Sequence, residues 1–133
     1  MKRAAGRGVD IRVLVPKSSD QKFVDMACQS YFWLTLRAGI RIFRYEPEMM
    51  HAKTIAMDDV WVTVGSSNLD NISLLLNYED NIVSTDKSLV KDIRLQFEAD
   101  LKKSKELKQE EWHDRGLGTK TLELSTWPLH RLM

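Results

Sequence analysis

The 133-residue sequence predicts an α/β domain, a mixed sheet with helices on its faces. Two β-like runs, residues 9–16 and 40–45, flank a segment with helical spacing. A strand, a helix and a strand within about forty residues favour a right-handed crossover between parallel strands. Two further β-like runs, 51–57 and 60–65, are close enough to form a hairpin. A long amphipathic run follows residue 86 and completes the α/β pattern.

The first crossover is marked by alternation and by helix signals. Apolar residues occupy every second position of the first run until a proline stops it: Val9, Ile11, Val13, Val15 and Pro16. A polar cluster at 18–20 offers N-caps for a helix that runs to about Arg37. Gly39 is a typical residue just after a helix end, and the strand 40–45 follows it.

The second half of the sequence contains similar signals for turns, strands and helix starts. Asp58 and Asp59 form the predicted tight turn between the hairpin strands, and a short helix opens after Gly65. Residues 79–85 read as a fifth strand. Asp86 then caps a helix to about residue 105, with an apolar stripe of Leu89, Val90, Ile93, Phe97 and Leu101. We therefore assign 1–105 to the domain and 106–133 to an irregular or short-helical tail.

Composition excludes several classes of protein. Charged residues make up 29% and apolar residues 43%, as in ordinary globular proteins, and the net charge of +1 makes nucleic acid an unlikely partner. The single cysteine, Cys28, indicates a reducing compartment. No apolar run has the length of a membrane span. We expect a cytoplasmic protein, or one peripheral at the cytoplasmic membrane.

The stretch "HAKTIAMD" carries the chemistry. In a strand, His51 and Lys53 point to one face about 7 Å apart. An ammonium beside the imidazole repels a metal ion but attracts an anion, so the pattern predicts a site without metal or cofactor. Lys53 would hold a phosphate while His51 attacks its phosphorus.

A second anion-binding pattern follows in "GSSN". Gly65 permits close approach of the backbone to a ligand, and Ser66 and Asn68 add short polar side chains at a helix start. The hairpin would bring this segment back beside His51. Each pattern alone is common, but together they place six residue types at set positions between 51 and 68: His51, Lys53, Asp58, Gly65, Ser66 and Asn68.

These six residues match the HxKxxxxDxxxxxxGSxN signature, so the chain resembles the phospholipase D superfamily. "RGVDIRVLVP", "VGSSNLD" and "LNYEDNIV" are most similar to the C-terminal half of bacterial cardiolipin synthases. The resemblance implies a phospholipase D-like catalytic half-domain over 1–105. It implies a two-step phosphodiester exchange through a phosphohistidine, with phosphatidylglycerol-type lipids as substrates.

The resemblance also implies a role for each residue. By position, His51 is the nucleophile or acid/base, and Lys53, Ser66 and Asn68 hold the phosphate oxygens. Asp58, grouped with the catalytic residues by the motif, has a structural role at the hairpin.

A carboxylate that holds the second ring nitrogen would make His51 a better nucleophile. Asp58 is too distant along the strand, whereas Glu79 opens a strand that can lie beside His51. Asp80 is the rival, although strand alternation points it to the other face. The superfamily resemblance implies an acidic residue in this region, and we predict a hydrogen bond between Glu79 and His51.

The chain carries the motif once, whereas the synthases it resembles carry it twice. Of its histidines, only His51 lies in an H-x-K pattern. Because the leaving alcohol needs a second group to protonate it, we expect a second half: the N-terminal half of the same enzyme, or a homodimer mate. "MKRAAGRG" resembles the end of a helix within a longer protein, which favours a C-terminal fragment.

Two other functions stay open. One is a single-motif, homodimeric nuclease of the same superfamily, and the other is a non-catalytic, phosphate-binding half-domain. The tail is also a candidate for contact with a membrane surface, or for packing on the domain. Its aromatic, aliphatic and basic residues are Trp112, Arg115, Leu117, Lys120, Leu122, Trp127, Leu129, Arg131 and Leu132.

Overall fold

The computed structural model describes residues 1–17, 31–47, 50–68 and 78–113, which form six strands in two three-stranded sheets. The start of the first predicted helix, Cys28 and the predicted helix after Asn68 lie outside these ranges. The strands are β1 (Arg12–Pro16), β2 (Arg41–Tyr45), β3 (Thr54–Met57), β4 (Trp61–Gly65), β5 (Asn81–Ser84) and β6 (Ser104–Leu107). The helices are α1 (Lys2–Ala5), α2 (residues 31–37), α3 (Lys87–Leu101) and α4 (Gln109–His113).

The first sheet has the strand order β1-β2-β6. β1 and β2 are parallel, with Val13 beside Ile42, as the crossover pattern predicts. The antiparallel partner β6 corrects the sequence prediction, which extended the helix to about residue 105. The Asp100 carbonyl, which would continue the helix, accepts instead from the Lys103 N–H at 3.1 Å and from Ser104 Oγ at 2.7 Å. The chain therefore turns and pairs with β2.

The second sheet is an antiparallel meander in the order β3-β4-β5. Its hairpin turn has three residues, 58–60, instead of the predicted two, and Asp58 adopts a left-handed φ of 50°. β3 begins at Thr54, so His51 and Lys53 precede the strand. The predicted α/β class is confirmed, with the strands divided between one mixed and one antiparallel sheet.

Within the described residues, β3 and β5 form the edges of the second sheet. Both edge strands leave apolar side chains in solvent. Ile82 of β5 is 74% exposed, and its neighbour Val83 and Met57 of β3 are also exposed.

Helix α3 packs across both sheets. It contacts β2 and β6 of the first sheet and β3 and β4 of the second. Val90 is its fully buried residue, and Ile93, Phe97 and Leu101 are half-buried as the stripe predicts, whereas Leu89 at its border is exposed. The buried apolar residues of the described ranges are Ile40, Ile42, Phe43, Val62, Val90 and Trp112.

An ion pair joins strands β2 and β6 of the first sheet. Arg41 binds Glu106 of β6 through two hydrogen bonds, Nε to Oε1 at 2.7 Å and Nη2 to Oε2 at 3.0 Å. The hydrogen bond from Arg41 is the main cause that lowers the pKa of Glu106. Because the pKa is lowered on folding, this pair stabilises the fold at neutral pH, and its contribution is lost as the pH falls through the folded pKa.

The first residues of the predicted tail, 106–113, lie in the part of the chain that the structure describes. β6 crosses the predicted boundary at residue 105, and Trp112 of α4 is only 7% exposed, with its ring 5.3 Å from that of Phe32. Trp112 therefore packs on the domain, the second of the two alternatives given for the tail. Residues 114–133 lie outside the described ranges, and the division into domain and tail stays a prediction. In the part of the chain that the structure describes, no helix combines the length and apolar character needed to span a membrane.

The start of α3 depends on one side chain. Asp86 Oδ1 accepts a hydrogen bond from the Leu89 N–H at 2.9 Å, as the sequence predicts for an N-cap. We expect Asp86→Ala to lower the free energy of unfolding by about 1 kcal/mol, because this N–H loses its acceptor. Urea denaturation followed by circular dichroism measures the change. Asp92→Ala, at an exposed position inside the same helix, is the matched control and should cost about 0.5 kcal/mol or less. Equal losses would contradict the capping role.

Candidate active site

Three segments meet at one end of the second sheet. The Gly65 N–H donates to the Lys53 carbonyl at 3.1 Å, which extends the β3–β4 ladder by one step. The Ser66 N–H donates to the Asp80 carbonyl at 3.0 Å, which does the same for β4 and β5. The backbone thereby brings residues 51–53, 65–68 and 79–80 together, and the two predicted anion-binding patterns share this end of the sheet.

His51 and Lys53 are in direct contact. Lys53 Nζ lies 2.8 Å from His51 Nε2 and 3.4 Å from the His51 carbonyl oxygen. An ammonium group can only donate, so Nε2 accepts, and the ring proton is assigned to Nδ1. The His51 side chain is exposed and Lys53 is half-buried, so the pair is open to a ligand from solvent. The lone pair of Nε2 is the group that a histidine nucleophile uses.

Gly65 of β4 lies directly beside Asn81 of β5. A Cβ at this position would stand 2.7 Å from the Asn81 Cα and closer still to the Asp80 carbonyl oxygen, distances that real Cβ atoms do not adopt. Both of these groups are backbone and cannot swing away. A glycine is therefore required for the sheet to continue to Ser66.

Ser66 is held by the start of β5. Its Oγ donates to Glu79 Oε2 at 2.5 Å and accepts from the Asp80 N–H at 3.0 Å. Because the Ser66 backbone N–H is committed to the Asp80 carbonyl, the hydroxyl is the Ser66 group that can turn toward a ligand. Asn68 is exposed two residues further on, beyond the end of β4.

The side chains of Lys53 and Ser66 thus both donate hydrogen bonds to other side chains of the site. Lys53 donates to a nitrogen of His51, and Ser66 donates to a carboxylate oxygen of Glu79. Two of the three predicted phosphate-holding donors are therefore hydrogen-bonded to predicted catalytic groups. A phosphate oxygen is an acceptor that can replace the internal acceptor of either donor.

Asp58 lies at the opposite end of β3, in the hairpin turn. The strand separates it from the His51 end by about 13 Å, so it does not belong to the same cluster of side chains. Its left-handed backbone suits an aspartate, which tolerates this conformation better than most residues. The neighbouring Asp59 forms an ion pair with Arg94 of α3. The structural role of Asp58 stays a prediction.

Glu79 is half-buried at the entrance of β5 and binds Ser66, while Asp80 is exposed and contributes its backbone to the ladder. The Glu79–His51 hydrogen bond stays a prediction. The bond from Ser66 to Glu79 was not predicted. Its signal was present in the sequence, because the end of β4 and the start of β5 are neighbours in a meander.

No group of three or more His, Cys, Asp or Glu side chains with the geometry of a metal site occurs within the described ranges. That the reaction needs no metal ion remains a prediction.

The H-x-K pair and the Gly-Ser-x-Asn segment, at one end of a sheet in an α/β domain, define a phospholipase D-like half-domain. A family model described as "Cardiolipin synthase, PLD-like domain" matches residues 1–101. The chain belongs to this family of cardiolipin synthase, phospholipase D-like domains.

Two proteins that are similar to the chain are both named cardiolipin synthases. The chain is 39% identical to cardiolipin synthase 1 of Bacillus cereus over 123 residues, which covers 92% of the chain and 24% of that protein. It is 35% identical to cardiolipin synthase A of Pseudomonas putida over 114 residues, covering 86% of the chain and 24% of that protein. The chain therefore spans about a quarter of the length of these relatives. No solved structure matches the chain.

The close approach at Gly65 gives a direct test of this geometry. We expect Gly65→Ala to push β4 and β5 apart at the site and to destabilise the protein, because the new methyl meets immovable backbone. Overpacking of this kind costs about 1–3 kcal/mol. Urea denaturation measures the loss, and Gly6→Ala is the matched control, since its Cβ would meet only atoms at 3.5 Å or beyond. A Gly65→Ala protein as stable as the control would contradict the close approach.

Proposed function

We propose that this chain is the catalytic half of a phosphatidyltransferase that exchanges phosphodiesters through a phosphohistidine on His51. The observation that carries the proposal is the 2.8 Å contact between His51 Nε2 and Lys53 Nζ beside Gly65 and Ser66. This contact joins a nucleophilic nitrogen to a cation that can hold a phosphate oxygen. Membership of the cardiolipin synthase family supports phosphatidylglycerol-type lipids as donor and acceptor.

Binding of the substrate phosphate prepares the nucleophile. A phosphate oxygen takes the Lys53 hydrogen bond away from His51, so the Nε2 lone pair becomes free to face phosphorus. A second oxygen takes the Ser66 hydroxyl hydrogen bond away from Glu79, and Asn68 is the residue proposed to hold the remaining charge. The released Glu79 carboxylate is the proposed acceptor for the Nδ1 proton of His51, which would fix the ring in its reactive tautomer.

The transfer then takes two displacements. His51 Nε2 forms a bond to phosphorus as the bond to the donor's alcohol oxygen breaks, and this leaving oxygen takes a proton from a general acid. In the second step the hydroxyl oxygen of the acceptor attacks the phosphohistidine, loses its proton to the same group, and breaks the P–N bond. The nitrogen is thereby regenerated with its lone pair.

The general acid is the missing part of this scheme. His51 is the attacking group, and Lys53 and Ser66 are engaged with phosphate, so a group outside this set must protonate the leaving oxygen. The proposed source of this acid is a second half that carries its own copy of the motif. The chain covers about a quarter of the length of its relatives, so these relatives have room for such a half. This half is either the rest of the same enzyme or a second copy of this chain.

A chromogenic donor separates His51 from the missing acid. In a soluble phosphodiester with a p-nitrophenyl leaving group, the departing anion needs no proton. We expect the chain to release one equivalent of nitrophenolate in a burst, with His51 carrying the phosphoryl group, and to do so in the presence of EDTA. His51→Ala should abolish the burst, and Lys53→Ala should slow it by about 10²–10³-fold. Stopped-flow absorbance measures the burst, and alkaline quenching preserves the acid-labile phosphoenzyme.

The control for the burst is His130→Ala, which removes a histidine outside the motif and should leave it intact. A burst that persists in His51→Ala, or one that chelator abolishes and a divalent cation restores, would overturn the proposal.

The proposal that a second half supplies the general acid predicts a strong dependence on the leaving group. We expect a donor with an alkyl leaving group, such as phosphatidylglycerol, to react about 10²–10⁴-fold more slowly than the nitrophenyl donor, since general acid catalysis is missing. Light scattering on the same samples reports whether two copies pair. Equal rates with both donors from a monomeric chain would show that one motif supplies the acid as well.

A further inference from the structure

A row of three residues crosses the second sheet at the candidate active site. The β3–β4 register places Lys53 opposite Gly65, and the β4–β5 register places Gly65 opposite Asn81. Residues that lie opposite each other in an antiparallel sheet share a face. Lys53 and Asn81 therefore stand on either side of a residue that has no side chain, and we call these three residues the glycine notch.

The glycine notch is wide enough for a phosphate group. Neighbouring strands lie about 4.8 Å apart, so the Cα atoms of Lys53 and Asn81 are separated by about 9.6 Å. The middle of this span is glycine backbone, which a ligand can approach closely. Ser66 follows Gly65 directly, so the notch adjoins the His51 cluster, by which we mean His51, Lys53 and Ser66. The substrate phosphate of the proposed function therefore fits over Gly65.

The side chain of Asn81 leans into the notch. A Cβ at residue 65 would meet Asn81 Oδ1, so the carboxamide lies over Gly65. Asn81 is exposed, and among the described residues its side chain has no hydrogen-bond partner. The wall opposite Lys53 is therefore lined by a polar group that is open to a ligand.

The two walls of the notch offer different chemistry. His51 Nε2 and Lys53 Nζ, 2.8 Å apart, bring the nucleophile and a cation to the β3 wall. Asn81 brings an uncharged carboxamide to the β5 wall. In-line displacement at phosphorus puts the leaving oxygen opposite the attacking nitrogen. With the phosphate over Gly65, the alcohol part of the substrate therefore faces Asn81.

A carboxamide suits an alcohol better than it suits an anion. It carries an acceptor oxygen and two N–H donors, and a hydroxyl group likewise both donates and accepts. A phosphate oxygen only accepts, and the carboxamide atom that lies over Gly65 is Oδ1, itself an acceptor. Asn81 therefore favours a substrate whose alcohol carries a further hydroxyl close to the ester.

We propose that Asn81 is a specificity-determining residue that binds a free hydroxyl of the substrate's alcohol group, and so selects glycerol-type alcohols over simple alkyl alcohols. The proposal rests on the proposed function, which supplies the phosphodiester and the attack by His51. Because the acceptor alcohol enters on the side that the leaving alcohol vacates, Asn81 contacts the alcohol in both displacements. A single exposed, neutral hydrogen bond gives a selection of about 3–10-fold in affinity.

The test is an NMR titration of the full chain with two soluble phosphodiesters, methyl glyceryl phosphate and methyl propyl phosphate, which differ only in the hydroxyls of the alcohol. We expect the parent to bind the glyceryl diester about 3–10-fold more tightly. Asn81→Leu is similar in size but forms no hydrogen bond, so it should bind both diesters with the affinity that the parent has for the propyl diester. Asn81→Asp keeps the acceptor oxygen and should keep the preference, although its charge weakens the binding of both diesters by about 5-fold.

A matched control lies on the opposite face of the same sheet. Thr54 is exposed and follows Lys53 along the chain, so its side chain points away from the notch. Thr54→Val should therefore keep both affinities and the preference of the parent.

The titrations involve no bond to phosphorus, so they separate this proposal from the proposed chemistry. A preference that depends on Asn81, in a chain that gives no nitrophenolate burst, would overturn the phosphohistidine and leave the Asn81 contact standing. A burst that depends on His51, in a chain without the preference, would overturn the Asn81 contact alone.

Three results of the titrations would contradict the role of Asn81. Equal affinities of the parent for the two diesters would show that no group of the site binds the hydroxyls. A preference that persists in Asn81→Leu would assign the hydroxyl to another residue. An equal loss of affinity for both diesters in Asn81→Leu would assign the carboxamide to a phosphate oxygen instead of the alcohol.

Discussion

The packing of α3 across both sheets is the interaction on which the arrangement of this domain depends. In the described residues the two sheets share no strand, and the helix joins them by burying Val90 and by contacting strands of each. Ion pairs strengthen both attachments: Glu98 binds Arg12 of the first sheet at 3.0 Å, and Arg94 binds Asp59 in the hairpin of the second. The helix therefore sets where the His51 cluster lies relative to the first sheet.

The site itself is organised by backbone more than by side-chain burial. The ladder bonds at Gly65 and Ser66 align three segments that are distant in sequence, and the absence of a Cβ at Gly65 lets them come close enough. On this frame, Lys53 donates to His51, and Ser66 donates to Glu79. Such internal pairing satisfies polar groups before the ligand arrives and makes their release part of ligand binding.

Much of the fold could be predicted from the sequence, because short-range sequence patterns agree with the strands, the hairpin and the helix cap that the structure shows. The alternation before Pro16, the cap at Asp86 and the closeness of the hairpin strands each act over a few residues. The strand β6 could not be predicted this way, since "SKEL" has no β-branched residue and forms a strand only by pairing with β2 and through the Arg41–Glu106 bonds. The meander brings Ser66 beside the start of β5, but the sequence does not show which side chain Glu79 binds there.

The edges of the second sheet have a consequence for handling the isolated domain. Ile82 and Val83 on β5, and Met57 on β3, present apolar side chains on strands that have no second neighbouring strand among the described residues. A strand edge of this kind is a template on which another chain can add a strand, and apolar side chains favour such growth. Colloidal stability at high protein concentration is therefore governed by these two short strands. A lysine in place of Ile82, at a position already in solvent, is the conservative way to keep the domain dispersed without altering its core.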